Sequence, residues 1–102
     1  MEAIKTATAG SLESSDVLVT VSPAAGSGVE YKIESIVIKQ FGTRIRSVTE
    51  EVVAASGLKA AAVHVQDRGA LECTLRARLE TAIGRAAEVA EPGRAAPATP
   101  TA

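Results

Sequence analysis

The spacing of hydrophobic positions changes period along this chain, and the changes mark out its elements. Val17, Val19 and Val21 fall on one side of an extended chain, with Leu18, Thr20 and Ser22 on the other. Val29, Tyr31 and Ile33 alternate in the same way with Glu30, Lys32 and Glu34. Within residues 58–66, Val63 and Val65 alternate with Ala62, His64 and Gln66. Each of these runs predicts a strand with one buried face. Residues 2–9 alternate more weakly, with Ile4 as the only large apolar group, and Thr6 and Thr8 make a short first strand plausible.

After Ser35 the period becomes helical. Val37, Ile38, Phe41, Ile45, Val48, Val52 and Ala55 lie within an arc of about 100°, and Lys39, Thr43, Arg46 and Glu50 lie opposite. The pattern predicts a helix over 36–56, with Ser35 as its N-cap and Gly57 in the left-handed position beyond its end. Gly42, inside it, costs up to ~1 kcal/mol relative to Ala. A second helix is expected over 70–88, with the stripe Leu71, Leu75, Leu79, Ala82, Ile83 and Ala86. Glu72 and Arg76 sit one turn apart on it, a spacing that supports an ion pair. Arg78 is expected to edge the core, with its stem buried and its head in water.

The element order is β-β-β-α-β-α, and each helix is apolar on one side only. That combination gives an α+β fold, a two-layer sandwich of a mixed sheet of about four strands against two helices. The first three strands are expected to form an antiparallel meander, with residues 26–28 as a hairpin connection. A right-handed crossover then sets the fourth strand parallel to the third. Residues 1–90 make one domain. From Glu91 the composition shifts, since three of the four prolines fall in residues 92–102 among Ala and Thr. That tail lacks the large apolar groups that offset ordering entropy and is expected to be disordered.

Composition narrows the possible functions. One Phe, one Tyr and no Trp leave an aliphatic core and no platform for stacking bases. Eleven basic residues against twelve acidic ones create no field for nucleic acid or an anionic membrane. A single Cys and a single His exclude an internal disulfide and a metal cluster of the usual kind. No apolar run is long enough to span a bilayer. These features point to a reduced, cytoplasmic protein that binds neither nucleic acid, membrane nor metal.

Enzyme chemistry has little to work with. His64 reads as a surface or interlayer histidine, Cys73 lies off the apolar stripe of the second helix, and Glu50-Glu51 solvate a helix flank. Arg76 and Arg78 are about 160° apart around their helix and cannot both address one phosphate without special geometry. The stretch Gly10-Ser11-Leu12-Glu13-Ser14-Ser15-Asp16 is different. Its composition favours an exposed turn ahead of the Val17 strand. A serine without a base is a poor nucleophile, but an exposed hydroxyl can accept a group that another enzyme attaches. Glu13 and Asp16 would repel a phosphate-rich arm and could guide a basic modifying enzyme. On local residues alone, an ordinary turn is by far the better reading of the stretch.

Four segments in order extend the reading. Residues 9–17, Ala-Gly-Ser-Leu-Glu-Ser-Ser-Asp-Val, resemble the N-terminal motif of the acyl carrier protein, or γ subunit, of citrate lyase. Lys39-Gln40-Phe41-Gly42 with Ile45-Arg46, Asp67-Arg68-Gly69-Ala70-Leu71-Glu72-Cys73, and Arg76-Ala77-Arg78-Leu79 resemble the same family. The resemblance implies a non-catalytic carrier subunit. Ser14 would bear 2′-(5″-triphosphoribosyl)-3′-dephospho-coenzyme A through a phosphodiester. The arm would carry acetyl and citryl thioesters between the transferase (α) and lyase (β) subunits during cleavage of citrate to acetate and oxaloacetate. Partners would be those two subunits, in a hetero-oligomer, and the prosthetic-group transferase. A carrier of citramalate lyase or a related complex, and an unmodified interaction module, are the alternatives. Ser11 stands where the family often has Thr, and the Pro/Ala/Thr-rich end replaces a common apolar, Trp-containing one.

Overall fold

The computed structural model describes residues 2–36 and 38–87, residues 38–42 through their backbone alone. Its elements are β1 (Ala7–Gly10), β2 (Val17–Ser22), β3 (Gly28–Ser35), α1 (Ile38–Ser56), β4 (Ala60–Asp67) and α2 (Glu72–Ala86). The order and the two-layer architecture are those the hydrophobic pattern implies. Residues 88–102, including the expected tail, lie outside the described residues, as does Val37.

The sheet departs from a meander. Its strand order is β1-β2-β4-β3. β4 lies between β2 and β3, antiparallel to β2 (Val19 opposite Val65) and parallel to β3 (Val65 opposite Ile33). The segment around Gly26-Ser27-Gly28 is therefore not a hairpin connection, because it spans the width of β4. The parallel β3–β4 pair holds as expected. Central position suits β4, whose inward residues Ala61, Val63 and Val65 are all buried.

The core lies between one face of the sheet and both helices. Val17, Val19 and Val21 of β2 and the inward residues of β4 meet Val48, Val52 and Val53 of α1, and Leu75, Leu79, Ala82, Ile83 and Ala86 of α2. On α1 the buried face is rotated from the expected stripe: Ala55 is exposed, whereas Val53 and Thr49 are buried. Thr49 tolerates this because its hydroxyl donates to the Ile45 carbonyl one turn back (2.8 Å). Ile38 and Phe41 belong to the backbone-only stretch. Gly57 takes the expected left-handed conformation, φ +79°. Ser35, the expected N-cap, is the last residue of β3, and its hydroxyl donates to Asp67 Oδ2 (2.8 Å).

The second helix begins later than expected. Leu71 stands in its N-cap position with an extended backbone and is 72% exposed, so it leaves the stripe that Leu75 begins. The opposite face of the sheet carries Leu18, Thr20, His64 and Gln66, half-buried, beside the exposed Glu30, Lys32 and Glu34. No described helix is long and apolar enough to cross a membrane.

Candidate functional site

Residues 11–16 join β1 to β2 at the end of the sheet where β3 and β4 finish. Gly10 makes the exit from β1 possible. Its φ is +95°, and a Cβ there would stand 1.8 Å from the Val17 carbonyl oxygen, a distance no side chain can occupy. Ser11 N–H donates to that same carbonyl (3.2 Å), closing the base of the loop.

Within the loop the three serines have separate roles. The Ser11 hydroxyl donates to Asp16 Oδ2 (2.7 Å) and accepts from the Glu13 N–H (3.2 Å), bracing the interior of the turn. Asp16 N–H donates to the Glu13 carbonyl (3.1 Å), making a β-turn with Ser14 and Ser15 at its two central positions. Ser15 has φ +66°, a left-handed conformation that is uncommon outside glycine, whereas Ser14 does not. Positive φ at the second central residue alone is the type II pattern. Ser14 thus takes the first corner of the turn; it is exposed, as is Ser15, and within the described residues no hydrogen bond engages either hydroxyl.

The turn is fixed from outside at two points. Ser15 N–H donates to the Arg68 carbonyl (2.8 Å), and Arg68 N–H donates to the Asp16 carbonyl (2.9 Å). These bonds lock it to the loop between β4 and α2. Beneath it, Arg78 of α2 binds Asp16 with both teeth of its guanidinium, Nε to Oδ1 and Nη2 to Oδ2, each 3.2 Å. The Asp16 side chain is only 18% exposed. Its carboxyl is held below the usual carboxylate range by the Ser11 hydroxyl first, then by the Val17 N–H and Arg78, against the opposing effect of burial.

This geometry revises the expected electrostatics. Asp16 does not face outward to repel a phosphate: its charge is turned in and neutralised. Glu13 alone presents a carboxylate at the rim, exposed beside Ser14. The Arg78 head is not left to water, although its stem crosses above Gly10 as a core-edging stem should. Arg76 pairs with Glu51 (2.6 Å) and Glu72 (3.1 Å), so both arginines are committed to carboxylates.

The loop that receives the turn is itself braced from within by a buried carboxylate. Asp67, 4% exposed, accepts from the Gly69 N–H (3.1 Å), the Ala70 N–H (3.0 Å) and the Ser35 hydroxyl. An Asp two residues before a Gly and just ahead of a helix is a recognisable turn signal. Asp16 and Arg78 carry no such local signal.

The remaining candidate residues stay apart from this loop. His64 pairs with Glu34 on the open face of the sheet, and that contact holds the Glu34 carboxyl below its ordinary range. Cys73 is exposed. Among the described residues, no group of three or more His, Cys, Asp or Glu could hold a metal ion.

The fold is a small mixed sheet with an open serine loop at one corner, and comparisons with known proteins place it among acyl carriers. The family model described as malonate decarboxylase delta subunit (MdcD), an acyl carrier family, matches residues 4–86. The citrate lyase acyl carrier protein of Streptococcus mutans is 53% identical over 89 residues, 87% of each chain. That of Escherichia fergusonii is 50% identical over 91 residues, covering 89% of this chain and 94% of its own. That of Klebsiella pneumoniae is 54% identical over 82 residues, 80% of this chain and 84% of its own. The chain belongs to the citrate lyase acyl carrier protein family. One chain of a Pseudomonas malonate decarboxylase hetero-tetramer, crystallised with malonate, shares the fold: TM-score 0.63 at 19% identity, over 81% of this chain and 84% of that one.

Proposed function

We propose that this chain is the acyl carrier subunit of a citrate lyase, with Ser14 as the attachment point of its arm. The observation that carries the reading is the condition of that hydroxyl: it is exposed and makes no hydrogen bond to the described residues, on a turn whose backbone is tied down by Ser11, Asp16 and Arg68. Attachment through a phosphodiester needs an open oxygen on a rigid base, and the inward-turned, neutralised Asp16 removes one of two negative charges from its surroundings. The group implied is 2′-(5″-triphosphoribosyl)-3′-dephospho-coenzyme A, which supplies a thiol able to hold acetyl and citryl thioesters.

The chain's own residues bind and orient. Ser14 anchors the arm, Ser11 and Asp16 hold the turn, and Arg68 and Arg78 fix it to the sandwich. The carrier makes no bonds itself; the transferase (α) and lyase (β) subunits exchange and cleave the acyl group. Tethering keeps the thioester near both catalytic subunits at high effective concentration instead of releasing it to bulk solvent. The workplace is the cytoplasm, where a free Cys73 stays reduced.

The shared fold of the malonate decarboxylase chain favours a second reading, a carrier for a related complex. Identities near half of all positions with citrate lyase carriers, against 19% with that chain, rank it second. Intact-mass measurement of protein co-produced with its modifying transferase tests the proposal. The mass is expected to rise by one prosthetic group, and Ser14→Ala to abolish the gain. A gain that survives Ser14→Ala but is lost in Ser15→Ala moves the site by one residue. No gain in the wild type leaves an unmodified interaction module.

A further inference from the structure

A cavity lies beside the β4–α2 loop, to which the turn that bears Ser14 is tied. It opens between the first half of α1 and the start of α2 and has a volume of about 450 Å³, within the ~300–1,000 Å³ typical of small-molecule sites. Its apolar wall is Ile45 and Val48 of α1, Ala70 and Leu71 of the β4–α2 loop, and Leu75 of α2. Leu71, at the lip, is among the most exposed large apolar side chains described. An occupant of the cavity would cover it.

The polar groups of the wall are already satisfied. Arg44 donates to Glu72 Oε1 from both Nε (2.9 Å) and Nη2 (2.7 Å), and Asp67 holds its three donors. Among the described lining residues, the cavity therefore offers a neutral ligand apolar contact and offers an anion no free cation. It is also within reach of a tether on Ser14. Ser15 N–H touches the Arg68 carbonyl, and the next residue, Gly69, is cavity wall. With Cα atoms ~3.8 Å apart along the chain, Ser14 lies within about 15 Å of that wall.

We propose that this cavity is a resting site for the thioester end of the group on Ser14 when that end bears acetyl, and that it turns away the citryl form. The inference rests on the carrier reading above. Acetyl is small and uncharged, and its burial together with the thioester removes apolar surface from water on both sides. Citryl has two free carboxylates. Burying them without partners is prohibitive, and the Asp67 and Glu72 carboxylates in the wall repel them. The charge of the acyl group thus decides whether the arm rests or travels. Acetyl is shielded from water and stray thiols between turnovers, while citryl stays outside and available to the lyase subunit.

The test uses the modified full chain, with the arm confirmed by intact mass and acetylated on its thiol. Amide resonances of Ala70, Leu71 and Leu75 are compared between the thiol, acetyl and citryl forms, and cleavage of the acetyl thioester by hydroxylamine is timed against acetyl-coenzyme A. Acetylation is expected to shift those three resonances and citryl to leave them in place. Cleavage is expected to slow by about threefold or more, as for a closed state populated at least two-thirds of the time. Ala70→Phe fills the cavity and should restore the acetyl-coenzyme A rate. Leu71→Glu, at the exposed lip, should do the same without risk to the core. Resonance changes confined to residues 10–16, with equal cleavage rates in wild type and both variants, overturn the resting site. Equal shifts for acetyl and citryl overturn the charge selection. Failure to gain the arm's mass overturns the carrier reading and the resting site with it, whereas a normal mass gain with unshifted cavity resonances overturns the resting site alone.

Discussion

Arg78 and Asp16, 62 positions apart in the chain, meet as a two-toothed ion pair directly beneath the turn that presents Ser14. The pair connects the middle of the second helix to the loop before the second strand. Its worth depends on its being partly withdrawn from water, since exposed pairs contribute little. Here the acid is largely covered and also takes the Ser11 hydroxyl and the Val17 N–H. Removing Arg78 would leave a mostly covered carboxylate short of a partner.

Arg78→Ala is accordingly expected to lower stability by about 1.5–3 kcal/mol, the range for hydrogen bonds to charged groups. Part of the loss is the stem that crosses Gly10. Urea unfolding of Arg78→Ala, Asp16→Asn and the double variant separates the two contributions. Independent, additive losses would show that the pair is not a coupled unit.

The same carboxylate sets an acid limit. Its folded-state pKa is depressed below the ordinary 3.8, with the Ser11 hydroxyl as the leading cause. A depressed acid contributes stability that is present above the unfolded value and is lost as pH falls through the folded one. The stability gap between wild type and Asp16→Asn should therefore be constant near neutral pH and shrink below about pH 4. Unfolding midpoints measured from pH 7 down to 2 check this; a gap that widens in acid contradicts it.

The serines of the loop should separate cleanly by stability as well as by modification. Ser14→Ala is expected to change stability by no more than about 0.5 kcal/mol, as for surface sites without partners. Ser11→Ala removes a donor from Asp16 and an acceptor from Glu13 N–H, and should cost about 1–2 kcal/mol. Thermal melts of both variants decide the point. A marked loss in Ser14→Ala would mean that its hydroxyl supports the turn.

Two glycines make a paired control. Gly10→Ala places a methyl group on the Val17 carbonyl at a backbone angle alanine resists. It should cost about 2 kcal/mol or more, because both the contact and the strain must be absorbed. Gly84, within α2, has nothing within 4 Å of an added Cβ. Gly84→Ala is expected to stabilise by about 0.4–1 kcal/mol. Denaturant titrations of the two should move in opposite directions.

Much of the architecture was legible because burial is periodic. Val17, Val19 and Val21, or Val63 and Val65, announce one face of a sheet whatever lies next to them. Leu75, Leu79 and Ile83 announce a helix face in the same way. Adjacency was not legible, because alternation in β2 and β3 is the same whether they pair with each other or with β4. Leu71 was misplaced because helix phase does not reveal where the first turn starts. Thr49 displaced Ala55 because a hydroxyl satisfied on its own helix behaves as an apolar group. At the site, sequence exposed the polar loop and the resemblance singled out Ser14. The Asp16–Arg78 grip joins distant segments, and no local spacing encodes it.

The position of β4 also bears on how the protein is made. The strand that joins β2 to β3 is the last to be synthesised, and until it arrives β3 has no ladder and β2 has only that with β1. Arg68 and Arg78, which steady the Ser14 corner, come later still. On the ribosome the serine emerges early, with none of its framework behind it. Folding must wait for pairings between segments far apart in the chain, a feature that slows small domains. A transferase that reads the finished corner, rather than the local sequence, will therefore load only completed chains.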